Sequence, residues 1–125
     1  MKIISYVNII RFHKNILRKV GLDKASLEAV TNGLCEASLR GVDSHGIRLL
    51  SHYVKSAQLG RKNPNPTYSF ETKFPAVGVL DADNAFGLAA GMKAIDYGVN
   101  MADNYGIAAI IVKNSSHPGA LAPIA

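Results

Sequence analysis

Polar residues able to bind and process a small anion follow one another closely from Asp43 to Arg48. Asp and Ser are favoured at helix N-caps, so a helix is predicted to begin at Asp43 or Ser44. At 100° per residue, His45 lies within about 60° of Arg48 and His52 on one face of that helix. A helix start attracts carboxylates and phosphates through its free N–H groups, and an arginine holds such groups with two parallel hydrogen bonds. The segment therefore predicts an anion-binding site.

The same residues also have a purely structural interpretation. In that case Asp43 or Ser44 only caps the helix, and His45 and Arg48 are solvated at its surface. A shared metal site is not expected under either interpretation, because His45 and His52 are separated by roughly 10 Å along a helix axis and cannot ligate one ion together. The sequence also contains no cysteine and histidine spacing typical of structural zinc.

A second candidate, His117, lies in the polar segment 113–119, directly after the apolar run 107–112. Ligands of open α/β sheets bind outside the carboxyl ends of the strands, so a histidine here is well placed for catalysis. Imidazole titrates near neutral pH and can pass a proton to or from a hydroxyl group. The alternative is a loop histidine hydrogen-bonded to the neighbouring serines. Ser116 is not predicted to be a hydrolase nucleophile, because the G-x-S-x-G elbow is absent.

Glycine patterns that bind phosphate groups are missing from the sequence. Neither G-x-G-x-x-G nor G-x-x-x-x-G-K occurs, so neither a Rossmann domain nor a P-loop is predicted. Gly87 and Gly91 fall instead within a helical pattern, where the lack of a side chain allows close packing.

The elements that must position these residues begin with three predicted helices. Apolar residues recur at near-helical spacing up to Val20, and Gly21 ends the first helix. Asp23 is expected to cap the second helix, which Gly41 ends. The third helix is expected to start within the polar run described above and to extend to about Leu59.

Strands and one further helix are predicted after a linker, RKNPNP at 61–66, whose prolines disfavour helical angles. The predicted strands are 67–74, 76–80 and 107–112, and the predicted helix is 87–104. Because the run 107–112 is apolar without interruption, we expect that strand to be covered on both faces. The elements from 76 to 112 therefore predict a βαβ unit.

The composition and charge of the chain limit the classes of ligand and partner that we expect. Fourteen basic residues against nine acidic ones leave a net charge of +5, which suits an anionic ligand. The basic residues are scattered with few aromatics among them, which disfavours nucleic-acid binding. The apolar stretches are much shorter than the roughly 20 residues of a membrane span, so no membrane association is expected. A single cysteine, Cys35, cannot form an intramolecular disulfide, and a reducing, cytoplasmic location is predicted.

Five segments carry a resemblance to a known family. They are SLRGVDSHGIRLLSHYV at 38–54, NPNP at 63–66, VLDADNAFG at 79–87, YGI at 105–107 and NSSHPGA at 114–120. In this order they resemble the malate/L-lactate dehydrogenase family, which also includes ureidoglycolate, sulfolactate and cyclic imino acid oxidoreductases. The conjunction of D-S-H-G-x-R with N-S-S-H-x-G is the specific part of the match, which runs along almost the whole chain.

The resemblance implies an oxidoreductase that transfers a hydride between NAD or NADP and a small 2-hydroxy or 2-keto acid such as malate or lactate. It implies a mixed α/β fold unlike that of Rossmann dehydrogenases, in agreement with the missing glycine fingerprint. The expected divisions are a helical amino-terminal subdomain over 1–62, an extended connection over 63–75, and the first βαβ part of an NAD(P)-binding α/β domain over 76–125.

Residue roles follow from the same resemblance. His117 is expected to act as acid or base at the substrate oxygen, with Ser44 and His45 as catalytic partners. Arg48 is expected to clamp the substrate carboxylate. The expected cofactor-lining residues are Pro118, Gly119, Ala120, Leu121 and Ala122. Pro118 stands where many family members have an aromatic residue after the loop histidine.

Family members continue well beyond the position of Ala125, so the chain is expected to be a fragment without a complete site of its own. Members are typically dimers whose sites draw on both subunits, and a homodimer is therefore expected. The alternative is a truncated, non-catalytic module that binds small carboxylates or a protein partner.

Overall fold

Residues 3–121 are described by the structure, a computed structural model. Its helices are α1 (Tyr6–Lys19), α2 (Lys24–Leu39), α3 (Leu50–Gln58) and α4 (Gly87–Tyr105). Its strands are β1 (Ser69–Phe74), β2 (Val77–Asp81) and β3 (Ala109–Lys113). The described part of the chain is thus a mixed α/β fold, as predicted.

Local signals in the sequence account for the ends of the first two helices. Ser5 caps α1 by accepting a hydrogen bond from the N–H of Asn8, and Asp23 caps α2 by accepting one from the N–H of Ser26. Both α1 and α4 pack against α2. The main core lies between these helices and includes Leu17, Leu34, Phe86 and other buried residues.

The third predicted helix is broken in the structure. Short 3₁₀ turns occupy Asp43–His45 and Ile47–Leu49, and only from Leu50 is the chain α-helical. Neither turn has a side-chain cap, so the predicted capping by Asp43 or Ser44 is wrong.

Tertiary packing at Gly46 explains the break. The backbone of Gly46 is extended and passes so close to Ser38 of α2 that a Cβ atom would overlap the Ser38 hydroxyl. That hydroxyl accepts the N–H of Ile47 at 2.9 Å. Because the break changes the direction of the chain, the even angular spacing assumed for His45, Arg48 and His52 does not apply.

The sheet has the order β1-β2-β3. Strand β1 pairs with β2 in an antiparallel arrangement, and β2 pairs with β3 in parallel, with α4 as the crossover between them. The predicted βαβ unit is therefore confirmed. The expectation that its last strand is covered on both faces is wrong for the described residues, since Ile111 is 58% exposed. Helix α4 packs against β3, and Ile110 and Val112, on the opposite face from Ile111, are only partly exposed.

Candidate functional site

A cavity of about 340 Å³ lies where the segment around α3 meets the loops that follow β2 and β3. Its volume suits a small molecule. The lining residues are Ser44, His45, Leu49, His52, Tyr53, Ser56, Lys62, Phe86, Ser116, His117 and Gly119. Both polar segments singled out in the sequence therefore contribute to one cavity, although they are far apart along the chain.

Two imidazoles face each other in this cavity. The ring centroids of His45 and His117 are 5.2 Å apart, and their planes are tilted by 60°. The hydroxyl of Ser44 lies 2.9 Å from Nδ1 of His45 and orients its ring. A small hydroxy acid bound beside these rings has two groups nearby that can donate or accept a proton.

One hydrogen bond fixes the tautomer of His117. The backbone N–H of Gly119 donates to Nδ1 of His117 at 2.9 Å, and this bond requires an unprotonated Nδ1. The proton of the neutral ring is therefore on Nε2, where it can form a hydrogen bond to a substrate oxygen. The side chain of His117 makes no hydrogen bond to the neighbouring serines, so that alternative is wrong.

The loop of His117 is held against the start of α4. The N–H of Gly87 donates to the hydroxyl of Ser116 at 2.9 Å, which satisfies one of the free donors of the helix start. A Cβ atom at Gly87 would overlap the backbone carbonyl oxygens of Ser116 and His117. The position of the loop that carries His117 therefore depends on the absence of a side chain at Gly87.

The other end of the same loop is anchored to β2. Asn114 donates from its amide nitrogen to both carboxylate oxygens of Asp81, at 3.0 Å each. The hydrogen bond from Asn114 is the main cause that lowers the pKa of Asp81, with further contributions from the N–H of Asp83 and from Lys113. Asp81 is therefore ionised at neutral pH and holds Asn114 at its positive φ of 52°.

Asn84 ties the linker to the loop after β3. Its backbone N–H donates to the carbonyl of Asn114 at 2.8 Å, and its carbonyl accepts from the N–H of Asn63 at 3.0 Å. Its side chain donates to the carbonyl of Arg61 at 2.9 Å and accepts from Nζ of Lys62 at 2.8 Å. With φ at +59°, Asn84 also adopts a left-handed conformation that asparagine tolerates well.

Replacing Asn84 with alanine is expected to lower the free energy of unfolding by about 2–4 kcal/mol. Two side-chain hydrogen bonds are lost, at about 0.5–1.5 kcal/mol each, and alanine in the left-handed region costs about 1 kcal/mol more. Urea denaturation followed by circular dichroism measures the change. Asn84→Gly removes the same hydrogen bonds without the conformational penalty and should be less destabilising than Asn84→Ala. Equal stability of all three proteins would contradict the proposed role.

The floor of the cavity is apolar. The rings of Tyr53 and Phe86 are stacked, with centroids 5.3 Å apart and planes 19° from parallel, and both residues are buried. Burial raises the pKa of Tyr53, so its hydroxyl stays neutral at physiological pH. Low polarity beneath the two imidazoles strengthens the electrostatic interactions of a bound anion.

The charge of the lining favours an anionic ligand. Lys62 and three histidines line the cavity, and within residues 3–121 no carboxylate does so. A small acid entering this cavity meets donors and positive charge without a repelling group.

The family model for malate/L-lactate dehydrogenase matches residues 4–125. The chain belongs to this family. Three of the five segments that carried the resemblance, 38–54, 79–87 and 114–120, contribute residues to the cavity described above.

The chain is also similar in sequence to individual members of the malate/L-lactate dehydrogenase family. The chain is 33% identical to a malate dehydrogenase of Pyrococcus abyssi over 86% of its own length and 30% of the relative. It is 30% identical to an L-sulfolactate dehydrogenase of Methanocaldococcus jannaschii over 84% of its length and 30% of the relative. The chain thus spans about a third of the length of the curated relatives it matches.

Solved structures of the family have the same fold over this region. A malate dehydrogenase of Pyrococcus horikoshii matches with a TM-score of 0.92 and 28% identity, over 98% of this chain and 35% of that one. A malate dehydrogenase of Entamoeba histolytica matches with a TM-score of 0.88 and 33% identity, over 94% of this chain and 33% of that one.

The predicted catalytic residues of this family member meet in the structure, but the predicted clamp does not join them. Ser44, His45 and His117 line the cavity, whereas Arg48 is exposed and is not among the lining residues. The clamp role of Arg48, which the family resemblance implies, stays a prediction.

The predicted cofactor segment lies only partly at the cavity. Gly119 lines it, Pro118 and Ala120 are partly exposed, and Leu121 is 62% exposed. Ala122 lies outside the described residues. The roles of these residues stay a prediction.

Sequence reasoning missed several lining residues, above all Lys62, Tyr53 and Phe86. Tyr53 and Phe86 read as ordinary core residues because their types are those of a hydrophobic core. Lys62 belongs to the linker. It reaches the cavity lining through a contact with Asn84 in the turn after β2, and no local sequence pattern predicts that contact.

No cluster of three or more metal-ligating side chains occurs within residues 3–121. Over the same range, none of the helices combines the length and the apolar character that a membrane crossing requires.

Proposed function

We propose that this chain forms the substrate-binding part of a nicotinamide-dependent 2-hydroxyacid dehydrogenase. The observation that carries the proposal is the pair of imidazoles, His45 and His117, 5.2 Å apart in a cavity whose described lining has no carboxylate. Membership of the malate/L-lactate dehydrogenase family supports the reaction class.

The reaction removes a hydride from the carbon of the substrate and a proton from its hydroxyl group. A bound nicotinamide cofactor would accept the hydride. His117 donates a hydrogen bond from Nε2 to the substrate oxygen, and His45, whose ring Ser44 holds in place, takes up the proton as the hydroxyl becomes a carbonyl. In the reverse direction His45 returns the proton to the carbonyl oxygen, and the hydrogen bond from His117 stabilises the negative charge that develops there.

The cavity fits the substrate and the reacting end of the cofactor rather than a whole dinucleotide, because its volume is only about 340 Å³. Gly119 at its edge has no side chain, so a flat nicotinamide ring can approach the loop closely. The segment from Pro118 to Ala122 is proposed to contact the cofactor next to the site.

In this proposal the cofactor is NAD or NADP, and the substrate is malate, lactate or a related 2-hydroxy acid. The enzyme is a cytoplasmic homodimer whose partners are small molecules rather than nucleic acids or membranes. Relatives named as malate and L-sulfolactate dehydrogenases support the substrate class.

A second candidate function is a non-catalytic module that binds small carboxylates. The basic character of the cavity lining favours it, since Lys62 and three histidines can hold an anion without a cofactor. Such a module binds 2-hydroxy acids but shows no dependence on a nicotinamide cofactor.

A screen for substrate and cofactor tests the two candidates. Lactate, malate and sulfolactate are each combined with NAD⁺ and with NADP⁺, and absorbance of the reduced nicotinamide is followed. The screen uses this chain and the longest product of its reading frame. We expect turnover of at least one acid by the longer product, and binding of that acid by the chain. Binding without turnover in every combination would instead support the module.

A further inference from the structure

The hydroxyl group of Ser38 touches the segment that carries His45, one of the two facing imidazoles. Ser38 lies near the end of α2, and its hydroxyl oxygen accepts the N–H of Ile47 at 2.9 Å. A Cβ atom on Gly46, which directly follows His45, would overlap that oxygen and would lie 3.1 Å from the backbone nitrogen of Ser38. The hydroxyl group is therefore both hydrogen-bonded to this segment and packed against it.

Hydrogen bonds within the segment do not fix its position against α2. The N–H of His45 donates to the carbonyl of Val42 at 3.0 Å and so closes a turn between neighbours in sequence. The backbone at Gly46 is extended, with φ at −97° and ψ at −156°, and separates this turn from the next one. Within residues 3–121, the bond from Ile47 to Ser38 is the only side-chain hydrogen bond between these two turns and α2. That bond therefore ties the turns to the helix.

The two imidazoles have separate supports. His117 is held by the N–H of Gly119, and its loop is held by the bond between Gly87 and Ser116. None of these groups belongs to α2 or to the turns before α3. The gap of 5.2 Å between the ring centroids therefore depends on where each support places its own ring. On the side of His45, the contact with α2 is such a support.

A role of the hydroxyl within α2 alone does not account for this geometry. A serine in a helix can bond to the carbonyl four residues earlier and needs no partner outside the helix. The oxygen of Ser38 also accepts a donor nine positions later, and the chain passes so close to it that only glycine fits at position 46. Both features make the position of the turns depend on this oxygen.

We propose that Ser38 positions His45 for proton transfer through this contact. The assignment rests on the proposed function, in which His45 takes up the proton of the substrate hydroxyl. Ser38 is not among the residues that line the cavity, so it acts through His45 and not on the substrate. Loss of the hydroxyl frees the N–H of Ile47 and opens space beside Gly46, into which the turns can shift. A shift of about 1 Å in a catalytic group costs roughly 100-fold in rate.

A double-mutant cycle in the longest product of the reading frame tests whether the contact acts on the rate. In Gly46→Ala the new Cβ overlaps the Ser38 hydroxyl, and kcat is expected to fall about 100-fold. Ser38→Ala should lower kcat about tenfold, through a smaller shift. The double variant lacks the overlap, so its kcat should be no lower than that of Gly46→Ala, whereas independent effects would multiply to about 1,000-fold.

The matched control is Ser51→Ala. It removes an exposed hydroxyl of α3 that lies outside the cavity lining. Its kcat should stay within about twofold of the unmodified value, as expected for a surface substitution.

A measurement on the chain of 125 residues separates position from stability. The nuclear Overhauser effect between ring protons of His45 and His117 reports the gap between the rings. For a shift of about 1 Å it should weaken about threefold in Ser38→Ala, because the effect falls with the sixth power of distance. It should stay unchanged in Ser51→Ala, under conditions in which circular dichroism shows all proteins folded.

Three results would overturn the assignment. If Ser38→Ala is less stable in urea but keeps both kcat and the Overhauser effect, Ser38 is structural only. If the losses in kcat multiply in the double variant, the rate does not depend on the contact. If the unmodified product turns over no acid, the proposed function fails and the assignment fails with it. An Overhauser effect between the two rings of the unmodified chain then shows that the failure lies in the chemistry and not in the geometry.

Discussion

Replacing His117 with asparagine is expected to lower 2-hydroxyacid-dependent formation of reduced nicotinamide by about 10²- to 10³-fold, the range for loss of a hydrogen-bond donor that stabilises developing negative charge. Asparagine places an amide oxygen near the position of Nδ1, where it can still accept the hydrogen bond from Gly119. The loop is thereby preserved while the donor at Nε2 is lost. Steady-state kinetics of the longest product of the reading frame, with the best acid from the screen, gives the measurement.

Two further variants define the role of His117. Glutamine places an amide near Nε2, where it can donate a hydrogen bond but cannot take up a proton. Because only the donor is needed, His117→Gln should keep more activity than His117→Asn, and equal loss in the two variants would show instead that the ring transfers the proton. His52→Asn removes a third imidazole of the cavity lining that takes no part in the proposed proton transfer, and the rate should fall less than tenfold. Turnover of His117→Asn close to the unmodified rate, with an unchanged fold, would remove His117 from catalysis.

A single methyl group at position 87 is expected to disable the site. In Gly87→Ala the new Cβ overlaps backbone oxygens of the loop at Ser116 and His117, and backbone cannot be relieved by rotating a side chain. The loop must move, and a displacement of about 1 Å in a catalytic group costs roughly 100-fold in rate. Overpacking of this kind also lowers the free energy of unfolding by about 1–3 kcal/mol.

The matched control lies in the same helix. A Cβ atom at Gly98 of α4 would lie 3.5 Å from the side chain of Ile110, which is an ordinary van der Waals distance. Gly98→Ala should therefore be neutral, or stabilising by up to about 1 kcal/mol through the higher helix propensity of alanine. Urea denaturation and steady-state kinetics are measured on both variants. Similar behaviour of the two would show that the loop is not held by contact with Gly87.

Much of the fold was predictable because its signals are local. The cap at Asp23, the turn after β2 and the apolar spacing of α4 depend on neighbours in sequence, and all three are found in the structure. The meeting of His45 with His117 was also within reach, since the resemblance placed both in one site and a loop after a parallel strand is a common ligand-binding position.

The parts of the fold and of the site that could not be predicted depend on contacts between residues that are far apart in sequence. The break before α3 arises from Ser38, which accepts the N–H of Ile47 across nine positions of sequence. The periodicity of residues 43–59 gives no sign of that contact. Placing Arg48 on the same helical face as His45 and His52 was therefore wrong. Lys62 was overlooked for a similar reason, because only the bond to Asn84 turns this linker residue into part of the cavity wall.

The two facing imidazoles belong to different layers of the molecule. His45 precedes α3 in the helical layer, whereas His117 follows β3 in the sheet, and Asn84 and Phe86 lie at the seam between the layers. A slight rocking of one layer on the other would alter the gap between the rings, and with it the rate of proton transfer. In the proposed enzyme, substitutions at this seam are therefore expected to alter turnover without touching the substrate.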